Sequence, residues 1–414
     1  MTDVSVGRVG SSTGGPRTSR SVWTLSPVEL GVLLILLNGL LWGVAALNVT
    51  APGLRGRSGL IKGGDFVHFY TLGSIAVERR FDLLYDMEAQ HTRQERVVPT
   101  SRELWYVPIY GPQTALLLAP LARLPYLWAA AAWALLTALF YGGCLWIFWR
   151  DCLSLKGHRL LVILAACGFE PFWALIHHGQ TSALPMLCFA AAWLAGRANR
   201  RWWAGLALGT LIFKPHLGIA VAVVMLARRE WRIVGGAVTA IALQWGITVA
   251  AVGVTPFYEY FRVLLQGPWQ TSQLEPNPYA VHSLRGFFAL LFAQPTVVLA
   301  LYLLTSVAVL AVTVRLWRQG VPAGIRYSAL LLATVLVAPH MRVYELVQLA
   351  PAFLLTVDAS DPLTAGPRRV LRVLVGLAYV LPLFGFLASV THVQLSVPVF
   401  VGWLAVLYWS SRAR

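Results

Sequence analysis

Four groups of residues have the types and spacing to do chemistry. The first is Asp65 in GGDFVHFY, followed by His68 and Tyr70. An aspartate after two glycines has two readings, since it is a favoured helix N-cap and also a competent general base. The second is HHGQ, where His177, His178 and Gln180 serve either to anchor a helix end at a membrane interface or to line a polar cleft. The third is Lys214 before Pro215 and His216, a cation that either snorkels toward headgroups or faces a phosphate. The fourth is PHMRVYE, whose His340, Arg342 and Glu345 form an internal ion pair or an anion-binding edge. Together they supply one base, several cations and imidazoles, to which Tyr110 adds a phenol. That set suits attack of a hydroxyl on a phosphate-activated carbon. Phosphate as a leaving group needs a nearby cation more than an acid, so the two carboxylates of a typical glycosidase are not required.

The elements that must position these groups are membrane helices. The chain has 414 residues, 57% of them hydrophobic and only 12% charged, with mean hydropathy +0.66. So much apolar surface suits an all-α polytopic integral membrane protein. Residues 1 to 22, rich in Gly, Ser, Thr and Arg, cannot bury a core and are expected as a disordered tail; residues 23 to 414 read as one transmembrane domain. The run from Pro27 to Leu47 is the first span. Residues 49 to 110 form a first outer loop carrying Asp65, with an amphipathic helix after it lying on the membrane surface: Phe66, Phe69, Tyr70, Gly73 and Val77 on one side, Glu78, Arg79 and Asp82 elsewhere.

Further spans are expected near 126–149, 160–176, 181–196, 202–215, 216–227, 233–254, 295–316, 327–338, 344–357, 370–389 and 397–410, about twelve in all. Residues 110–124, broken by Pro112 and Pro120, are expected to re-enter rather than cross. Residues 256–284 read as a long outer loop, and THVQ at 391–394 as an outer segment. The four cysteines lack zinc or disulfide spacing.

The formal charge of +16 is an orientation signal. With this topology, 20 of the 33 Lys and Arg residues and five of the 17 acids fall in the N-tail, alternate loops and C-terminus. Those segments carry nearly all the net charge, which assigns both termini to the cytoplasm. A nucleic-acid partner is not needed to explain it. The polar groups above all fall on the opposite, outer face. No phosphate-binding glycine motif, HExxH or soluble nucleotide domain is present, so an activated substrate must arrive in the membrane.

The residues that carry these groups also carry a resemblance. GGDFVHFYTLG, DLLYD at 82–86, YVPIYGPQTALLLAPLARLP at 106–125, HHGQTSAL at 177–184, WAGLALGTLIFKPHLGI at 203–219 and APHMRVYELVQLAPAFLL at 338–355 occur in order. The chain resembles the polytopic glycosyltransferases of family 87, a C-type glycosyltransferase group that includes polyprenyl-phosphate-mannose-dependent alpha-1,2-mannosyltransferases. The resemblance implies the C-type glycosyltransferase fold in the cell membrane and inverting transfer from a polyprenyl-phosphate sugar to a lipid or glycan acceptor. Asp65 would be the general base, Lys214, His340 and Arg342 the donor-phosphate ligands. His68, Tyr70, Tyr110, His177, His178, Gln180, His216 and Glu345 would line the substrate cleft. The lipid-linked donor is a substrate, so no cofactor is implied, and no metal is called for because Lys and His can hold a monophosphate. Two other classes compete. A lipid or solute transporter would show inverted repeats and midplane polar groups; no such repeat is found. An O-antigen-type polymerase or ligase would show a dominant Arg/His-rich outer loop.

The orientation is testable. A cysteine replacing Thr92 in the first loop is expected to react with a membrane-impermeant maleimide on intact cells, above the background of the native cysteines, whereas one replacing Arg200 reacts only after permeabilisation. The reverse pattern would invert the topology.

Overall fold

The computed structural model describes residues 25–266, 277–360 and 363–412. The N-terminal tail expected at 1–22 lies outside them. The described residues are helical, and the only strand-like pairings among them are two isolated antiparallel bridges, Arg55 with Ile61 and Val281 with Arg342.

Helix α1, Pro27–Val49, starts where its sequence says it should. Ser26 accepts from the Glu29 backbone, Glu29 accepts from the Ser26 backbone, and Pro27 occupies the first turn, which is a capping box with an N-terminal proline. Its side chains are apolar all round and only Leu34 is buried, the pattern of a helix facing hydrocarbon. Helices α2 (Phe66–Val77) and α3 (Met87–Val97) follow in the first loop, and α4 (Gln113–Leu118) just after it. The six-residue α4 lies within the segment 110–124.

The surface-helix expectation for α2 is overturned, because every residue from Phe66 to Ala76 is buried. Glu78, Arg79 and Asp82, counted toward a polar face, fall beyond its C-terminal end. Around α2 pack α3, α4 and the turn Leu121–Arg123. Gly73 admits α4 closely: a Cβ there would lie 2.7 Å from the Leu118 carbonyl oxygen.

The remaining helices are α5 (Tyr126–Trp149), α6 (Arg159–Cys167), α7 (Glu170–His177), α8 (Ala183–Arg197), α9 (Arg201–Gly209), α10 (Ile219–Ala227), α11 (Trp231–Val252), α12 (Val254–Gln266), α13 (Leu284–Leu291), α14 (Pro295–Arg318), α15 (Ala323–Val337), α16 (Ala350–Ser360), α17 (Ala365–Val380), α18 (Leu387–Thr391) and α19 (Ser396–Arg412). Among the described residues α1, α5, α11 and α14 are long and apolar enough to cross a membrane. The expected twelve spans are therefore not matched by twelve span-length helices. The difference has a physical cause. A helix enclosed by protein need not match the bilayer, and α15 is buried along almost its whole length, packed by α14, α16, α10 and α19. The expected loop 256–284 is helical at its start, as α12; residues 267–276 of it lie outside the described residues.

The span expected at 160–176 is broken. The segment Leu153–Cys167 and α7 bend by 47° at Gly168–Phe169, which frees backbone carbonyls in an apolar setting. Side chains from three other helices take them up. Tyr379 donates to Ala165 O at 2.8 Å, Tyr141 to Ala166 O at 3.1 Å and Trp42 to Cys167 O at 3.0 Å, while Asn38 adds a second donor at 2.9 Å to Leu164 O, which already accepts from the Gly168 N–H. This is the condition under which non-helical backbone is tolerated at membrane depth.

Helices α9 and α11 make the closest backbone contact. A Cβ on Gly205 or Gly209 would collide with the Ile233 or Ala237 carbonyl, and one on Gly236 with the Trp202 carbonyl. Small residues four apart are how helices approach closely without a hydrophobic driving force. Gly205→Leu is expected to cost about 1–3 kcal/mol through overpacking and to lower the unfolding temperature in lipid nanodiscs. Gly246→Leu, which meets nothing within 4 Å, is the control; equal unfolding temperatures would refute the contact.

Candidate active site

Two turns meet at Asp65. In the first, Gly63 and Gly64 have φ of 86° and 51°; in the second, Gly179 has φ 57°, values glycine adopts without strain. They also permit contact. A Cβ on Gly179 would lie 2.5 Å from the Gly63 carbonyl oxygen, and one on Gly64 2.9 Å from the His178 Cα. Trp133 Nε1 donates to Gly179 O at 3.0 Å and Tyr126 Oη to Lys62 O at 2.7 Å, so α5 ties down both turns.

The cap reading of Asp65 does not survive this geometry. Asp65 precedes α2 with φ −66° and ψ −9° and its side chain caps no backbone N–H, because a capping carboxylate needs extended backbone. Its Oδ2 instead accepts from Gln180 Nε2 at 2.7 Å. The half-buried carboxylate faces an aromatic wall. Burial, then the Asp65 charge, pushes the Tyr106 phenol up; burial, then Glu345 and Asp65, does the same to Tyr110. Both phenols therefore stay protonated as donors. His178 lies within electrostatic reach of Asp65 and Arg342, with its ring 5.8 Å from that of Tyr344.

Several expected ligands have structural employment. His68 is buried, stacked on Tyr106 with ring centroids 4.8 Å apart, and its Nε2 has no hydrogen-bond partner. Burial holds its pKa down to about 3, so it is a neutral backing for the wall. Tyr70 donates its hydroxyl to Leu124 O at 2.8 Å and packs edge-on against Tyr126, which anchors α2 to α5. His177 stacks on Trp173 at 4.7 Å.

Of the two readings of Lys214, the one in which it snorkels toward headgroups does not fit its burial. Lys214 sits between the short helical turns Thr210–Phe213 and Pro215–Gly218, and its side chain is only 3% exposed. Its Nζ donates to Glu345 Oε1 at 3.0 Å and Ser182 Oγ at 3.2 Å. His216 Nε2 lies 3.4 Å from the same Glu345 oxygen, and the Arg342 backbone N–H donates to Oε2 at 3.2 Å. Glu345, expected as a substrate ligand, is thus the counter-ion that gathers KPH and PHMRVYE. His340, half-buried, is within electrostatic reach of Glu345.

Two clusters become one through three consecutive residues. Gln180 holds Asp65 and Ser182 holds Lys214; Gln348 Nε2 donates to Ser182 O at 2.7 Å and fixes the strap from the other side. Ser182 and Tyr106 were not singled out from sequence, although the Tyr106/Tyr110 spacing was a usable signal. His282 was also missed. It is buried, its backbone N–H donates to Met341 O at 2.7 Å, and its Nδ1 is 2.9 Å from Ser396 Oγ, which docks the end of the long loop on PHMRVYE. The THVQ segment does not join the cluster: His392 is exposed and Gln394 donates to Tyr279 O.

The model of glycosyltransferase family 87 matches residues 109–339, more than half of the chain. That stretch includes Tyr110, the HHGQ turn and the Lys214 turn; Asp65, His340, Arg342 and Glu345 lie outside it. No curated protein and no solved structure matches.

Removing one partner of a buried ion pair leaves an uncompensated charge, at a cost of about 3–5 kcal/mol. Glu345→Gln is therefore expected to lower stability by that order in chemical or thermal unfolding. Adding Lys214→Met is expected to restore most of it, the coupling that a double-mutant cycle measures. Strict additivity would mean that the pair is not coupled.

Proposed function

The chain belongs to glycosyltransferase family 87, and from that premise we propose that it moves a sugar, mannose in alpha-1,2 linkage, from a polyprenyl-phosphate donor to a lipid-linked or glycan acceptor. The site lies at the outer face of the cell membrane. The observation that carries the reading is the Asp65 carboxylate, which no backbone cap uses, oriented by Gln180 and joined through the 180–182 strap to the buried Lys214.

The acceptor hydroxyl oxygen attacks the anomeric carbon while Asp65 takes its proton. The bond from that carbon to the phosphate oxygen breaks, and polyprenyl phosphate leaves with the electron pair. Attack opposite the leaving group inverts the centre. General-base assistance of this kind contributes about 10²–10⁴-fold.

Lys214, His340 and Arg342 receive the leaving phosphate. Lys214 meets it in competition with Glu345, so the carboxylate holds the ammonium in place and desolvated until a stronger anion arrives. Tyr106 and Tyr110, kept protonated, donate to sugar or phosphate oxygens. Membership of the family makes the chain a glycosyltransferase rather than a transporter, and its lipid-facing helices make it a membrane one.

Asp65→Asn preserves shape and the contact with Gln180, since either amide can donate. It is expected to reduce transfer from polyprenyl-phosphate mannose by at least about 10²-fold with an unchanged unfolding temperature, measured as release of polyprenyl phosphate in proteoliposomes. Turnover at the wild-type rate in this variant would return Asp65 to a structural role.

A further inference from the structure

Away from the Asp65–Lys214 cluster, two turns of the chain bring arginines together. Helices α8 and α10 end alike: the Arg200 N–H donates to Ala195 O and the Asn199 N–H to Gly196 O, as the Glu230 N–H does to Met225 O and the Arg229 N–H to Leu226 O. Asn199 and Arg229 both have φ 55°, so the two turns launch α9 and α11 from the same geometry. A Cβ on Gly236 would lie 2.2 Å from the Trp202 carbonyl oxygen, and one on Gly209 2.3 Å from that of Ala237. The two helices therefore run side by side in the same direction and begin on one face. There Arg200, Arg201, Trp202, Trp203 and Arg232 line an open cleft of about 440 Å³. A Cβ on Gly235 would strike the Trp202 ring at 2.9 Å, so glycine at that position lets the indole lie against α11.

Charge in the cleft is unbalanced. Glu230 accepts from Arg201 at 2.9 Å and from Arg228 at 3.2 Å, which neutralises it. Arg200 and Arg232 are exposed, and among the described residues neither pairs with an acid. Two like charges held in one concavity repel, and an anion between them relieves that. The surroundings say which kind of anion. Trp202, Trp203 and Trp231 are 44%, 61% and 63% exposed, and indoles placed this way settle at headgroup level. Arginine–indole pairs flank the cleft, with Arg197 6.0 Å from the Trp193 centroid and Arg326 5.7 Å from that of Trp317. Further along α11, a helix of membrane-crossing length, Val238, Leu243 and Ile247 are exposed and offer an apolar strip to acyl chains. Arginines above and hydrocarbon contacts below fit a phospholipid; a free phosphate leaves the strip unused.

We propose that the cleft between the starts of α9 and α11 binds the head group of one anionic phospholipid, with Arg200 and Arg232 on its phosphate and Trp202 and Trp203 beside it. Basic clefts between membrane helices take such head groups, and a guanidinium can donate two parallel N–H bonds to phosphate oxygens. A zwitterionic lipid fits less well, because its own ammonium meets the same arginines. The site is distinct from the Asp65–Lys214 cluster: α9 begins at the cleft and only at its other end passes through Thr210–Phe213 to Lys214. It does not depend on the glycosyl-transfer reading.

The test titrates the delipidated full chain in detergent with dioleoyl phosphatidylglycerol or dioleoyl phosphatidylcholine, read by native mass spectrometry, with glycerol phosphate as competitor. The wild type is expected to take up phosphatidylglycerol in a saturable step, about tenfold more tightly than phosphatidylcholine. Arg200→Gln/Arg232→Gln is expected to weaken that step by about 30-fold, the effect of two arginines near an anionic lipid. Arg229→Gln/Arg315→Gln removes the same charge from exposed positions outside the cleft and is expected to bind as the wild type does. Arg315 belongs to the last turn of α14, where Arg318 donates to Ala227 O, so both controls lie near the same face. If the cleft variant does not fold, Arg232→Gln alone replaces it, with a loss of about fivefold. Equal binding of the two lipids, wild-type binding by the cleft variant, or an equal loss in the control pair would overturn the site. Displacement of the lipid by glycerol phosphate at equal concentration would also overturn it, by making a soluble phosphate the occupant.

Discussion

The structure depends on a three-residue strap. Gln180, Thr181 and Ser182 run between the carboxylate of Asp65 and the ammonium of Lys214 and bond to both. The strap reaches Asp65 only because the turn before it and the turn that carries Asp65 touch at their backbones, through Gly64 and Gly179. Any side chain on either glycine would push the base away from the residue that orients it. A misplacement of about 1 Å can cost 10²-fold in rate, so positions with no chemistry of their own set the geometry of the chemistry.

The second constraint is the cost of polar groups where water is scarce. Lys214 and Glu345 are each nearly inaccessible, and they persist together because the charges neutralise each other and further donors satisfy the carboxylate. The same rule governs the broken helix before the HHGQ turn, where Trp42, Tyr141 and Tyr379 take up the exposed carbonyls. The break lets α7 swing toward the site and end in the histidine turn.

Much of this was legible in the chain. The ends of α1, α5 and α14 follow apolar runs bounded by Ser-Pro, Pro-Tyr and Gln-Pro, since proline at a first turn and a long apolar stretch are local signals. The short α4 was readable from its flanking prolines. The burial of α2 was not, because Glu78, Arg79 and Asp82 lie so close to its end that they mimic a polar face; only the helix boundary separates the readings. Tyr70 and Glu345 looked like ligands for a similar reason. Sequence shows that a residue is polar but not that another part of the chain already satisfies it.

The sequence by itself determined the all-helical class, the long apolar runs of a membrane protein and the residue types from which a base, cations and donors are drawn. Those properties reside in composition and in runs of neighbouring residues. The tertiary structure decided which of these groups meet. Asp65 finds Gln180 across 115 positions and Lys214 finds Glu345 across 131, and no local pattern encodes such pairings. They arise because helices that bury their surfaces against one another can close in few ways, and those ways bring particular turns together.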